Sequence, residues 1–101
     1  MKSVVLSNWS DAVLVCGKCS RKLEGGFGPK SRTPLAKALR KRLGLKRGRK
    51  SPAGIVEVKC LGVCPKGAVT VIDTANPREW LLVPGGADLD SVIDALRLTR
   101  A

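Results

Sequence analysis

The 101-residue chain has no histidine and no tyrosine, three aromatic residues (Trp9, Phe27 and Trp80), and eight acidic side chains against nineteen Lys and Arg. Without histidine there can be no Ser-His or Cys-His nucleophile pair, no His-ligated zinc and no Rieske-type ligand set. Three aromatics are too few for the usual base-stacking platform of a nucleic-acid binder. The longest uninterrupted apolar run, Ala12 to Cys16, falls far short of the roughly 18 to 20 residues that a membrane span needs. The opening residues carry an apolar run too short for a secretory signal. A soluble cytoplasmic protein is therefore expected, built as one domain over residues 1–101.

Charge and sulfur are what the chain does contain. Its net charge is +11, and the excess is local. Residues 18–50 hold thirteen Lys and Arg against Glu24 alone, which leaves +12 in that stretch and −1 elsewhere. The basic insert, about residues 30–50, reads either as a solvated face or as a docking surface for an anionic partner. Its candidate docking residues are Lys37, Arg40, Lys41, Lys46, Arg47, Arg49 and Lys50.

The order of elements is legible from pattern. Ala12 to Val15 is wholly apolar and suits a buried strand. Residues 20–32 contain Gly25, Gly26, Gly28 and Pro29 and read as a loop that opens with a turn of helix. Thr33-Pro34 reads as an N-cap with proline at the first helical position, followed by a helix from Leu35 to Leu43 that stops at Gly44. Leu35, Ala36, Leu39 and Leu43 share its apolar face and Lys37, Arg40 and Lys41 the opposite one. Arg42 lies on the apolar flank and must snorkel outward. Leu45 to Gly54 is a basic loop expected to be mobile, and Ile55 to Lys59 alternates as a strand. Ala68 to Asp73 and Glu79 to Val83 form a hairpin around Asn76-Pro77. Trp80 is expected in the core, Trp9 over the sheet edge, and Phe27 in a loop where it shields the site or reaches a partner. Asp88 caps a last helix carrying Leu89, Val92, Ile93, Leu96 and Leu98, with Asp90 and Asp94 as structural carboxylates. The sum is an α/β domain with a parallel crossover and a later antiparallel pair.

Cys16 and Cys19 form a C-x2-C pair, and Cys60 and Cys64 a C-x3-C pair 40 residues further on. Each pair follows a predicted strand, so parallel neighbouring strands would bring both to one sheet edge. Disulfides seldom persist in the cytoplasm, which favours metal or redox chemistry. Four thiolates suit zinc or an iron–sulfur cluster. Gly17, Gly62 and Gly67 allow backbone N–H groups to approach cluster sulfides, and Lys18 and Lys66 offset the cluster's negative charge. Buried inert thiols, a zinc-stabilised basic module that binds nucleic acid, a Cys16–Cys19 thiol–disulfide protein, and a four-iron cluster, whose C-x2-C-x2-C run is missing here, are the alternatives.

The run Cys60-Leu61-Gly62-Val63-Cys64-Pro65-Lys66-Gly67-Ala68-Val69-Thr70-Val71, with a CxxC-type pair after the first strand, resembles the thioredoxin-like 2Fe-2S ferredoxin family. The likeness covers about residues 11–98. It implies a thioredoxin-like mixed sheet flanked by helices, one-electron transfer without substrate turnover, and often a homodimer. It also implies that Cys16 and Cys19 bind one iron and Cys60 and Cys64 the other. The first pair is closer together than is usual in that family, and the basic insert is foreign to its commonly acidic surfaces. An acidic redox protein is the expected partner.

Overall fold

The computed structural model describes residues 3–96, and its elements run β1 (Ala12–Cys16), α1 (Gly17–Lys22), α2 (Leu35–Leu43), β2 (Gly54–Val58), β3 (Ala68–Asp73), β4 (Leu81–Pro84) and α3 (Leu89–Ala95). One mixed sheet has the order β2-β1-β3-β4. β1 pairs with β2 in parallel, Cys16 opposite Val58, and with β3 in antiparallel, Val15 opposite Val71. β3 and β4 close the hairpin with Val69 opposite Val83. The expected parallel crossover and late antiparallel pair are both present.

The apolar residues decide which sheet face is covered. Val13, Val15, Val69 and Val71 are fully buried, and with Ile55 and Val83 they meet Leu35, Leu39, Leu43, Val92, Ile93 and Leu96 from α2 and α3. Helix α2 ends as its sequence requires. Gly44 takes the left-handed conformation (φ 69°), its N–H bonds to the Lys41 carbonyl, and the Leu45 N–H bonds to the Arg40 carbonyl. Arg42 on its apolar flank turns out to Asp90, with both guanidinium bonds at 2.9 Å. Asp88 caps α3 by accepting the Ser91 N–H.

Several details differ from the sequence reading. Pro34, not Thr33, is the extended N-cap of α2, because Thr33 is already committed to a two-way backbone bridge with Phe27. That bridge folds residues 26–33 into a tight hairpin that drives Phe27 into the core (1 % exposed), where no partner can reach it. Trp80 lies outside β4, 42 % exposed, its indole N–H donated to the Pro77 carbonyl across the turn. The loop before β2 is held rather than free. Asn8 donates to the carbonyls of Arg49 and Lys50, Trp9 to that of Gly48, and Ser10 to that of Pro52. Trp9 does cover the sheet edge, its ring lying against Gly54 so closely that a Cβ there would fall 2.4 Å from ring atoms. Leu98 lies outside the described residues.

Leu39 is fully enclosed between α2 and the sheet. Leu39→Ala is expected to cost about 2 to 5 kcal/mol in urea unfolding. A loss below about 1 kcal/mol would contradict its place at the centre of the core.

Candidate functional site

Cys16 is the last residue of β1, and its backbone caps α1 without a side-chain bond. Strand alternation turns its side chain to the sheet face opposite Val15, towards Thr70 of β3. β2 runs parallel and in register with β1, so Cys60 and Cys64 follow from the same end of the sheet. The two ends are locked at Gly17. A Cβ there would lie 2.7 Å from the Val58 carbonyl and 3.1 Å from the Glu57 carboxylate, while the Lys18 N–H bonds to the Lys59 carbonyl at 3.0 Å. Only glycine permits this approach.

The loop after β2 lies over the first pair. The Cys19 thiol donates to the Val63 carbonyl at 3.6 Å, and the Thr70 hydroxyl donates to the same oxygen at 2.9 Å. The Gly62 N–H donates to the Cys60 sulfur at 3.3 Å. Cys16 and Cys19 are buried, whereas Cys60 and Cys64 are exposed. Among the described residues no group of three or more Cys, His, Asp or Glu is gathered closely enough to hold a metal ion. The structure therefore brings the pairs to one sheet edge and packs the loop backbone on the first pair, without converging the four sulfurs.

The donor set still fits a thiophilic metal in kind. All four thiols are free, and no imidazole competes for the metal. The Leu61 and Gly62 amides already face sulfur atoms. Gly62 (φ 82°) and Gly67 (φ 68°) have open space around the Cβ position, while the Val63 carbonyl between them is held by the Cys19 thiol and the Thr70 hydroxyl. Bringing Cys60 and Cys64 inward would require a turn of the second cysteine loop.

The two buried thiols differ in acidity. For Cys16, burial opposes ionisation most strongly, but hydrogen bonds from the Cys19, Leu61 and Lys18 backbones and from the Cys19 side chain outweigh it. Its pKa is held below the ordinary thiol value. Burial is also the largest influence on Cys19, and the charge of Cys16 adds to it, so Cys19 is pushed up despite its bonds to Thr70.

The basic residues separate into two groups. Lys37, Lys41 and Lys50 are exposed, away from any hollow. Arg40, Lys46, Arg47 and Arg49 line an open groove of about 710 Å³ with Trp9, Pro34 and residues 54–57 of β2. Arg40 departs from the expected cationic stripe of α2, since its guanidinium reaches back to the Ile55 carbonyl at 2.8 Å. Burial and the nearby Arg47 lower its pKa, while Glu57 opposes the shift. Trp9 and Thr70 were not legible as site residues from the sequence, since each acts through a contact with a distant segment.

Comparison with known proteins gives no matching family model, no matching curated relative and no matching solved structure. Among the described residues no helix is long and apolar enough to cross a membrane.

Gly17→Ala is expected to force the ends of β1 and β2 apart and to cost about 1 to 3 kcal/mol in denaturant unfolding. A neutral effect would show that the close approach is unimportant. For the metal-free protein, the lowered Cys16 stabilises the fold increasingly as pH rises from its folded value towards the free-thiol pKa of about 8.5. The raised Cys19 has the opposite sign, removing stability as pH climbs above that free-thiol value. Cys19→Ser should therefore gain stability between neutral and alkaline pH relative to Cys16→Ser, and parallel pH profiles of unfolding would refute the split.

Proposed function

We propose that the chain is a small electron-transfer protein whose Cys16, Cys19, Cys60 and Cys64 hold a 2Fe-2S cluster on a thioredoxin-like fold. The observation that carries this reading is the arrival of both cysteine pairs at one end of the parallel β1–β2 pair, with the Gly62 amide bonded to the Cys60 sulfur. Amide donors to sulfur stabilise negatively charged thiolate–sulfide clusters and tune their potential. The strand order β2-β1-β3-β4, parallel at β1–β2 and antiparallel elsewhere, supports the thioredoxin-like assignment.

Binding requires the loop between Cys60 and Cys64 to turn its sulfurs towards the first pair. The bound cluster would supply reversible one-electron exchange. Lys18 and Lys66 would offset its charge, and Leu61, packed against the core, would keep water from it. The cationic groove would receive an acidic redox protein in a reducing, cytoplasmic compartment.

A second reading, thiol–disulfide exchange at Cys16 and Cys19, draws on the opposite shifts of the two thiols. The burial of both thiols weighs against it, because exchange needs an accessible thiolate. Zinc on the same four thiols, in a basic module that binds nucleic acid, uses the same donor chemistry.

Purification without oxygen followed by iron, sulfide and zinc analysis separates these readings. Two irons and two sulfides per chain are expected, with a coloured protein that bleaches when Cys16 or Cys60 is replaced by Ser. One zinc per chain, or no metal together with a reversible Cys16–Cys19 disulfide, would overturn the cluster.

A further inference from the structure

The basic groove follows the free edge of the sheet. β2 is the outermost strand beside β1, and residues 54, 55, 56 and 57 in succession line the hollow. The Gly54 N–H bonds inward to the Asp11 carbonyl. Alternation in a parallel ladder then points the backbone groups of Gly54, Val56 and Val58 at β1 and those of Ile55 and Glu57 away from it. The Ile55 carbonyl is occupied by Arg40. The Ile55 N–H and both Glu57 backbone groups meet no partner among the described residues. An edge of this kind is a template for another strand unless the protein blocks it.

We propose that the edge of β2 is a docking strand for an extended acidic segment of the partner protein, paired through Ile55 and Glu57 and flanked by Lys46, Arg47 and Arg49. The identity of the partner rests on the electron-carrier reading, while the docking mode rests on the edge itself. Main-chain bonds supply affinity in this type of recognition, and the flanking side chains select the partner. Here the selecting charge is positive, from Arg40, Lys46, Arg47 and Arg49. Arg40 and Arg47 are close enough to depress Arg40, and Glu57 is the single acidic residue lining the hollow. The volume of about 710 Å³ lies within the range of ligand sites.

Single-stranded nucleic acid fits the same charge less well. Trp9 is the only aromatic lining the groove, its ring is seated on Gly54, and its N–H is used by Gly48. It is a clamp, with one ring face taken by Gly54, and a single ring makes no stacking platform. The direction of β2 also gives the docking a consequence. The strand runs towards Cys60, and Glu57 lies beside Gly17, so a segment paired along β2 ends next to the cysteine loop. Strand addition would place the partner within reach of the thiol site without covering it.

The test uses the full chain and a synthetic seven-residue peptide of alternating Glu and Val with blocked ends. A second peptide has the same charge, with Pro at the central Val positions so that it cannot pair. The first should bind, slow hydrogen exchange at the Ile55 and Glu57 amides, and leave Val56 unchanged. It should bind at least about tenfold more tightly than the Pro peptide, and Arg47→Glu with Arg49→Glu should weaken it by about tenfold or more. Equal binding of the two peptides, or protection absent from Ile55 and Glu57, would overturn strand addition. Tighter binding of an oligouridylate than of the Glu-Val peptide would overturn it in favour of nucleic acid. Peptide binding by metal-free protein supports the docking strand whatever the iron analysis gives, so the two proposals fail separately.

Discussion

The close parallel approach of β1 and β2 at Gly17 is the constraint on which the rest depends. The Val58 carbonyl occupies the space that a side chain at position 17 would need. This contact fixes how far apart the two strands end, and both cysteine pairs begin within two residues of those ends. The core behind the strands, Val13, Val15, Leu39 and their neighbours, supplies the hydrophobic stabilisation that keeps the ends in place. The first cysteine pair belongs to that core, and the second lies exposed at the same end of the sheet.

The thiol environment follows from that geometry. Cys16 sits where a strand becomes a helix, and the Lys18, Cys19 and Leu61 amides near its sulfur favour the thiolate without making a side-chain cap bond. Cys19 is one helical turn further on, its thiol donating to the Val63 carbonyl with Thr70 beside it. One thiol is thereby inclined to the thiolate and the other to the neutral form, although both are buried. Burial raises both thiols, and they part because amide groups outweigh it at Cys16 while the Cys16 side chain and charge add to it at Cys19.

Much of the architecture could be read in the sequence because its signals are local. The stripe Leu35, Ala36, Leu39 and Leu43, the Gly44 stop, the alternation of β2 and the Asp88 cap each announce an element within a few residues. Helix α1 was harder, since Gly17–Lys22 has no apolar period and is held by its position after β1. Phe27 was read as a loop residue because its glycine neighbours hide the bridge to Thr33 that carries it inward. Trp80 falls within the expected Glu79–Val83 strand and so reads as core, yet β4 begins at Leu81 and the turn at Asn76-Pro77 captures the indole. The groove was illegible, being assembled from residues 9, 34, 40, 46–49 and 54–57, and only tertiary folding unites them. The charge of that segment was visible, and its division between an open surface and a strand edge was not.

The clamp of Asn8, Trp9 and Ser10 on residues 48–52 joins segments about forty positions apart in the chain. Contacts of such separation form after the loop between them has been closed, and they add nothing to the first collapse. The bonds lie at the surface, and the segment before them leaves Val4, Val5 and Leu6 in solvent. Exposed bonds of this kind are less protected from exchange than those of the buried sheet. The basic wall of the groove is thus tied down by bonds at the surface, whereas the edge strand it borders is held in the β1–β2 ladder.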